Sequence, residues 1–154
     1  MSIDIKKIQD IKKVDKPWGY EKWIADGSPN FKYALKEILL KSKFKSSVQF
    51  HEFKEETNYI QKGEGILHYY PNPINFEKYQ NNEYSDDEFN DILTNLKKQK
   101  LYPGMVFHIK PGIIHRVEAI TDLIHDIEGN DGIDFESDDM YDSFETTDFT
   151  ELEV

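Results

Sequence analysis

The feature that most constrains the fold of this chain is its β rhythm, a series of short apolar-containing runs separated by turn signals. Runs at 20–24, 31–41, 47–51, 58–62, 65–70, 105–109, 113–118 and 123–128 carry the composition expected of strands. Asp26-Gly27-Ser28-Pro29-Asn30, Lys62-Gly63-Glu64-Gly65, Tyr102-Pro103-Gly104 and Lys110-Pro111-Gly112 punctuate them. Many short strands with regular turns predict an all-β barrel or sandwich. At 154 residues one domain is expected, with enough chain for a real core.

One stretch interrupts the rhythm. Residues 71–101 are polar and Asn-rich, and the reading predicts a helical core over about 86–99. There Phe89, Ile92, Leu93 and Leu96 follow the spacing of one helix face. Ser85 stands at a cap position before Asp86, Asp87 and Glu88, and Lys97, Lys98 and Lys100 are placed at the C-terminal end. Two roles stay open for this insertion: packing its apolar face on the barrel, or covering a site as a lid.

Charge is distributed unevenly. All 19 Lys and Arg lie before residue 117, whereas residues 131–154 hold ten of the 30 acids and no base. Subtracting those ten leaves 20 acids against 19 bases in residues 1–130, a body near neutrality. No basic stripe supports nucleic-acid binding, and an acidic end repels phosphate backbones. The division expected is a barrel over 1–130 and an acidic C-terminal segment over 131–154, packed or partly disordered. Its aromatics Phe135, Tyr141, Phe144 and Phe149 offer a means of lying back on the body. No apolar run approaches the ~18 residues that span a membrane, and the start lacks the layout of a signal peptide. There are no cysteines, so disulfides and thiolate metal sites are excluded and a cytoplasmic protein is the expectation.

The chemistry concentrates in two segments about sixty residues apart. The first, Ser47-Val48-Gln49-Phe50-His51-Glu52-Phe53-Lys54-Glu55-Glu56, carries an amide, an imidazole and carboxylates. Gln49 and His51 alternate at strand spacing and leave one face together. The second, Gly104 through Arg116, supplies His115 just after the Pro111-Gly112 turn. Bringing Glu56 and His115 onto the face of Gln49 and His51 would make a mixed nitrogen and oxygen pocket for a divalent metal.

These residues resemble the cupin superfamily, and more narrowly the cupin domain of mannose-6-phosphate isomerases. Glu56 and Gly63 meet the first cupin motif, which ends in an acid, six intervening residues and a glycine. Gly104, Pro111-Gly112 and His115 meet the second, with its proline displaced by one position and Ala119 where the motif closes on Asn. Lys16-Pro17-Trp18-Gly19-Tyr20-Glu21 resembles the Pro-Trp-Gly entry of the isomerase type, and Ser47-Val48-Gln49-Phe50-His51 its Ser-x-Gln-x-His. The resemblance covers roughly residues 15–130. It implies a single double-stranded β-helix (jelly-roll) barrel with one helical insertion, and metal ligands Gln49, His51, Glu56 and His115. The implied metal is Zn²⁺ first, with Mn²⁺, Fe²⁺ or Ni²⁺ also suited to this donor set.

The implied activity is aldose–ketose isomerisation of a sugar or sugar phosphate, which needs a base near the reacting carbons. Lys36, Lys54, Lys62, Tyr69, Arg116 and Glu128 are the candidates, with Lys36 or Lys54 orienting the substrate. Lys36, Lys54, Arg116 and Glu128 are retained as catalytic expectations. The isomerases carry a downstream arginine, whereas this chain has no Arg or Lys after Arg116. A non-catalytic sugar- or small-molecule-binding cupin and an Fe-dependent dioxygenase are the alternative readings. His68, His108 and His125 read as core or surface histidines, and Trp18, Trp23, Tyr33, Tyr59, Tyr69 and Tyr70 as core. A homodimer through an edge strand is expected of such a barrel.

Overall fold

The computed structural model describes residues 2–27 and 29–130. The acidic segment 131–154 lies outside the described residues. Among the described residues nine strands form two antiparallel sheets: β1 Lys12–Lys16, β2 Gly19–Asp26, β3 Tyr33–Leu40, β4 Glu56–Lys62, β5 Gly65–Tyr69, β6 Lys97–Leu101, β7 Val106–Ile109, β8 His115–Ala119 and β9 Leu123–Asn130. Six of them pair in the order β1-β2-β3-β9-β4-β7, and three in the order β6-β5-β8. Among the described residues no helix is long and apolar enough to cross a membrane.

Strand alternation decides what faces inward. On β4 the buried residues are Glu56, Asn58 and Ile60, and on β8 they are His115, Val117 and Ala119. Trp18, Leu40, Ile60, Leu67, Leu101, Val117, Ala119 and Leu123 form one apolar core between the sheets. A polar set at one end of the same interior is left over for chemistry.

Two short helices, α1 Phe76–Gln80 and α2 Asp86–Thr94, occupy the insertion. The Ser85 hydroxyl accepts from the Glu88 amide while the Glu88 carboxylate accepts from the Ser85 amide, a complete capping box. The helices cover a second core of Val48, Phe50, Ile74, Ile92 and Ile114, with Phe76, Tyr79, Phe89, Leu93 and Leu96 packed around it. Phe50 is fully buried there, edge-on to Tyr79 with ring centroids 5.0 Å apart. None of the residues lining the cavity that holds His51, Glu56 and His115 comes from 71–96, so the helices pack on the opposite side of the segment around Phe50 and do not roof that cavity.

The structure corrects two elements. The helix expected over 86–99 stops at Thr94, capped by Asn95, and Lys97–Leu101 is strand β6, paired with β5 from Lys97↔Tyr69 to Leu101↔Gly65. Leu101 is fully buried, and anchoring it in the barrel core outweighs one more helical turn. The lysines are edge-strand charges that blunt an open edge. The run 47–51 is no continuous strand: its ladder contact is an isolated bridge between Gln49 and His115, and Lys45 bridges Glu118 separately. Its alternation persists, with Phe50 drawn into the insertion core while Gln49 and His51 line the opposite side. Strand β1 and helix α1 were not anticipated.

Candidate metal centre

Three elements bring the donors together. The Gln49 amide donates to the His115 carbonyl at 3.0 Å and the His115 amide returns a bond to the Gln49 carbonyl at 2.9 Å, clamping the loop onto β8. The Gly112 amide donates to the His51 carbonyl at 2.8 Å, fixing the turn before His115. Gly112 has φ +86°, and a Cβ there would meet Phe76 Cζ at 3.0 Å, so the turn requires glycine. Glu56 enters from the first position of β4.

His51, Glu56 and His115 are all buried, and each offers a donor atom within 4.8 Å of the other two. His51 Nε2 lies 3.3 Å from Glu56 Oε2, and His115 Nε2 lies 3.6 Å from Glu56 Oε1. Metal bonds of about 2.1 Å spread tetrahedrally place donor atoms about 3.4 Å apart, so the observed spacings fit a bound ion. His115 Nδ1 donates to the Ile113 carbonyl at 2.8 Å, which leaves Nε2 as the lone-pair nitrogen facing the site. The donor set itself, two imidazoles and a carboxylate, is one that Zn²⁺, Mn²⁺ or Fe²⁺ accepts.

The electrostatics favour ligand-ready states. Burial acts to raise the Glu56 carboxyl. The hydrogen bond with His51 and the positive surroundings of His51, His115 and Lys54 outweigh it and hold the group well below the usual carboxylate range. Burial pushes the His115 imidazole down, against the pull of Glu56. Asn58 Nδ2 donates to Glu56 Oε1 at 3.3 Å, and Asn58 Oδ1 faces His125 Nδ1 at 3.2 Å. Burial pushes His125 down to about 4.

Around this cluster is a cavity of about 490 Å³ with a mixed wall. Trp18, Ile38, Leu40, Phe107 and Val117 are among its apolar lining, while Glu21, Trp23, Lys36, Gln49, Lys54, Asn58 and His125 contribute polar atoms. Gln49 thus shares the pocket with the three-donor cluster. Lys54 Nζ lies 3.8 Å from Glu56 Oε2. Lys36 Nζ sits 3.6 Å from Glu21 Oε1 and 4.6 Å from the Trp23 ring centroid, and Trp23 Nε1 donates to Glu21 at 3.1 Å.

Arg116 and Glu128 are not brought to the site. Arg116 leaves the opposite face of β8 and its Nε donates to the Ser46 carbonyl at 2.9 Å. Glu128 is exposed on the outer face of β9, between inward-facing Ile127 and Gly129. In both cases strand alternation places the side chain one residue out of phase with the pocket. Lys62 and Tyr69 do not line the cavity either. Sequence reasoning missed Glu21 and Asn58, and it read His125 as a core or surface histidine without placing it on the cavity wall. The inward phases of β2, β4 and β9, set by Trp23, Ile60 and Leu123, were the signal that would have found them.

Comparison of the sequence with models of known families and with characterised proteins finds no match. Solved structures do match in shape. Ectoine synthase from P. lautus superposes with a TM-score of 0.60 at 14% identity, over 84% of this chain and 78% of that one. A Bacillus subtilis oxalate decarboxylase variant gives 0.61 at 13% identity over 88% of this chain and 32% of that one. The Staphylococcus aureus capsular polysaccharide assembling protein CapF gives 0.59 at 14% identity over 94% and 34%. The chain therefore spans about a third of the length of the last two. These are cupin-fold proteins, and the likeness shows that the chain has an all-β cupin barrel.

Proposed function

We propose that this cupin-fold chain is a metal-dependent aldose–ketose isomerase acting on a small sugar or sugar phosphate, of the mannose-6-phosphate isomerase kind. The observation that carries the reading is the buried His51–Glu56–His115 set inside a polar-walled cavity. At about 490 Å³ the cavity falls in the range of small-molecule sites. His51, Glu56 and His115 hold the ion, with Gln49 as the fourth protein donor. A divalent ion there supplies electrophilic polarisation of a carbonyl or hydroxyl oxygen.

The chain's own groups supply the remainder. Among the described residues Glu21 is the one lining carboxylate besides Glu56. Held by Trp23 Nε1 and Lys36, it carries the proton between neighbouring carbons. Lys54 and Lys36 orient the substrate oxygens, and the apolar lining of Trp18, Leu40 and Val117 limits the water around the reacting carbons. Mannose 6-phosphate and other aldose phosphates, incubated in D₂O with metal-loaded protein, should gain deuterium next to the carbonyl. Glu21→Gln should keep its metal and lose exchange by on the order of 10²–10⁴. Absence of exchange with every aldose tested would remove the isomerase reading.

Two histidines and one carboxylate with open positions also match the donor set of Fe²⁺ oxygenases. Oxygen uptake coupled to substrate loss by the Fe²⁺-loaded protein would establish that second reading.

A further inference from the structure

One buried titratable group on the cavity wall takes no part in the chemistry proposed above. His125 lies on the inward phase of β9, 5% exposed, with Ile38 opposite it on β3 and Ile60 opposite it on β4. Two residues along the strand Ile127 stands opposite Lys36 and Asn58, and two further on Gly129 stands opposite Glu56. In the other direction Leu123 is fully buried in the apolar core. The imidazole therefore sits between the level of the metal ligands and that core, at the inner end of the cavity it lines.

Hydrogen-bond polarity fixes its tautomer. A metal-binding carboxylate is ionised, so the Glu56 oxygens only accept. Asn58 must then turn its NH₂ group to Glu56 Oε1, at 3.3 Å, because the reverse orientation sets two acceptors against each other. Asn58 Oδ1 in turn faces His125 Nδ1 at 3.2 Å, so Nδ1 carries the hydrogen. Burial holds the ring down to about 4, so near neutral pH it has no second proton and Nε2 keeps a bare lone pair. Between Ile38 and Ile60 such an acceptor is costly unless something donates to it. The two hydrogen bonds and the amide between Glu56 and His125 span less than about 9 Å, within reach of one sugar-sized molecule.

We propose that His125 Nε2 is the specificity-determining acceptor of this pocket, selecting ligands that bring a hydroxyl to its inner end: polyols such as sugars, in preference to keto acids and dicarboxylates. The ammoniums of Lys16, Lys36 and Lys54 donate to oxygens of either class, whereas a bare imidazole nitrogen bonds a hydroxyl and repels a carboxylate. This rests on the metal pocket of the reading above and names its ligand class; it stands whether or not the bound sugar is isomerised. Histidine ¹⁵N NMR of the full-length, Zn²⁺-loaded protein tests it, with the His125 signals assigned by their loss in His125→Gln. Before ligand is added, His125 should show a protonated Nδ1 and a bare Nε2. Mannose 6-phosphate, fructose 6-phosphate or mannose should then move the Nε2 signal upfield as a hydrogen bond forms, while 2-oxoglutarate and malonate should leave it in place. His125→Phe, with zinc content as the check on its fold, should bind the responding sugar about 10–100-fold more weakly. A hydrogen on Nε2 in the free protein, no movement with any of the three sugars, equal movement with the acids, or undiminished sugar affinity in His125→Phe would overturn the proposal. A sugar-induced shift without deuterium exchange would remove the isomerase reading alone.

Discussion

At the candidate metal site Asn58 links two buried groups: its Nδ2 donates to the Glu56 carboxylate and its Oδ1 faces the His125 ring. Asn58→Ala should weaken Zn²⁺ binding by about 10–100-fold in a competition titration, since it leaves all three ligands but loosens the carboxylate. A second residue-scale prediction concerns pH. His125 is depressed to about 4, below its unfolded value near 6.5, so the unfolded chain takes up the extra proton first. Its contribution is present above about pH 6.5 and is lost as pH falls toward 4, on the order of 3 kcal/mol in the metal-free protein. His115, also depressed, acts in the same direction. Urea midpoints measured across that window should fall more gently for His125→Gln than for the parent, and parallel curves would contradict this. The convergence of Gln49, His51, Glu56 and His115 on one cavity was legible because their spacing follows a pattern. The outward direction of Arg116 and Glu128 was not, because a one-residue change of phase sends a side chain through the sheet.

At the scale of elements, the loop carrying the ligands has two faces. Val48 and Phe50 pack into the insertion, Gln49 and His51 into the cavity, and Ile114 and His115 repeat the division on the second segment. Phe50→Ala should cost about 3–5 kcal/mol in chemical denaturation. It should also lower metal affinity although no ligand is altered, and unchanged affinity would show that the loops hold the ligands unaided. The amphipathic stripe of α2 was legible from its spacing and its cap. Strand β6 was not, because Lys97-Lys98-Gln99-Lys100 carries no apolar alternation and is held by pairing with β5 and by Leu101. A basic polar run after a helix reads locally as more helix; only the unpaired edge of β5 says otherwise.

For the whole molecule, the turn signals were enough to indicate a barrel, since short strands with tight connections have few ways to bury their inner faces. The order of strands is a property of long-range pairing that no local pattern carries. A ligand bound at a hundred times its dissociation constant stabilises by about 2.7 kcal/mol. Stripping the metal with a chelator should therefore lower the melting temperature by about 5–10 °C, a shift that His51→Ala should abolish. The two-faced ligand loop has a wider consequence. Since Phe50 and His51 are neighbours on one backbone, any molecule that grips the exposed side of α1 and α2 would gain leverage on a candidate metal ligand. Affinity reagents selected against those helices would then act as remote tuners of the centre, and metal affinity would serve as the gauge of how firmly they hold.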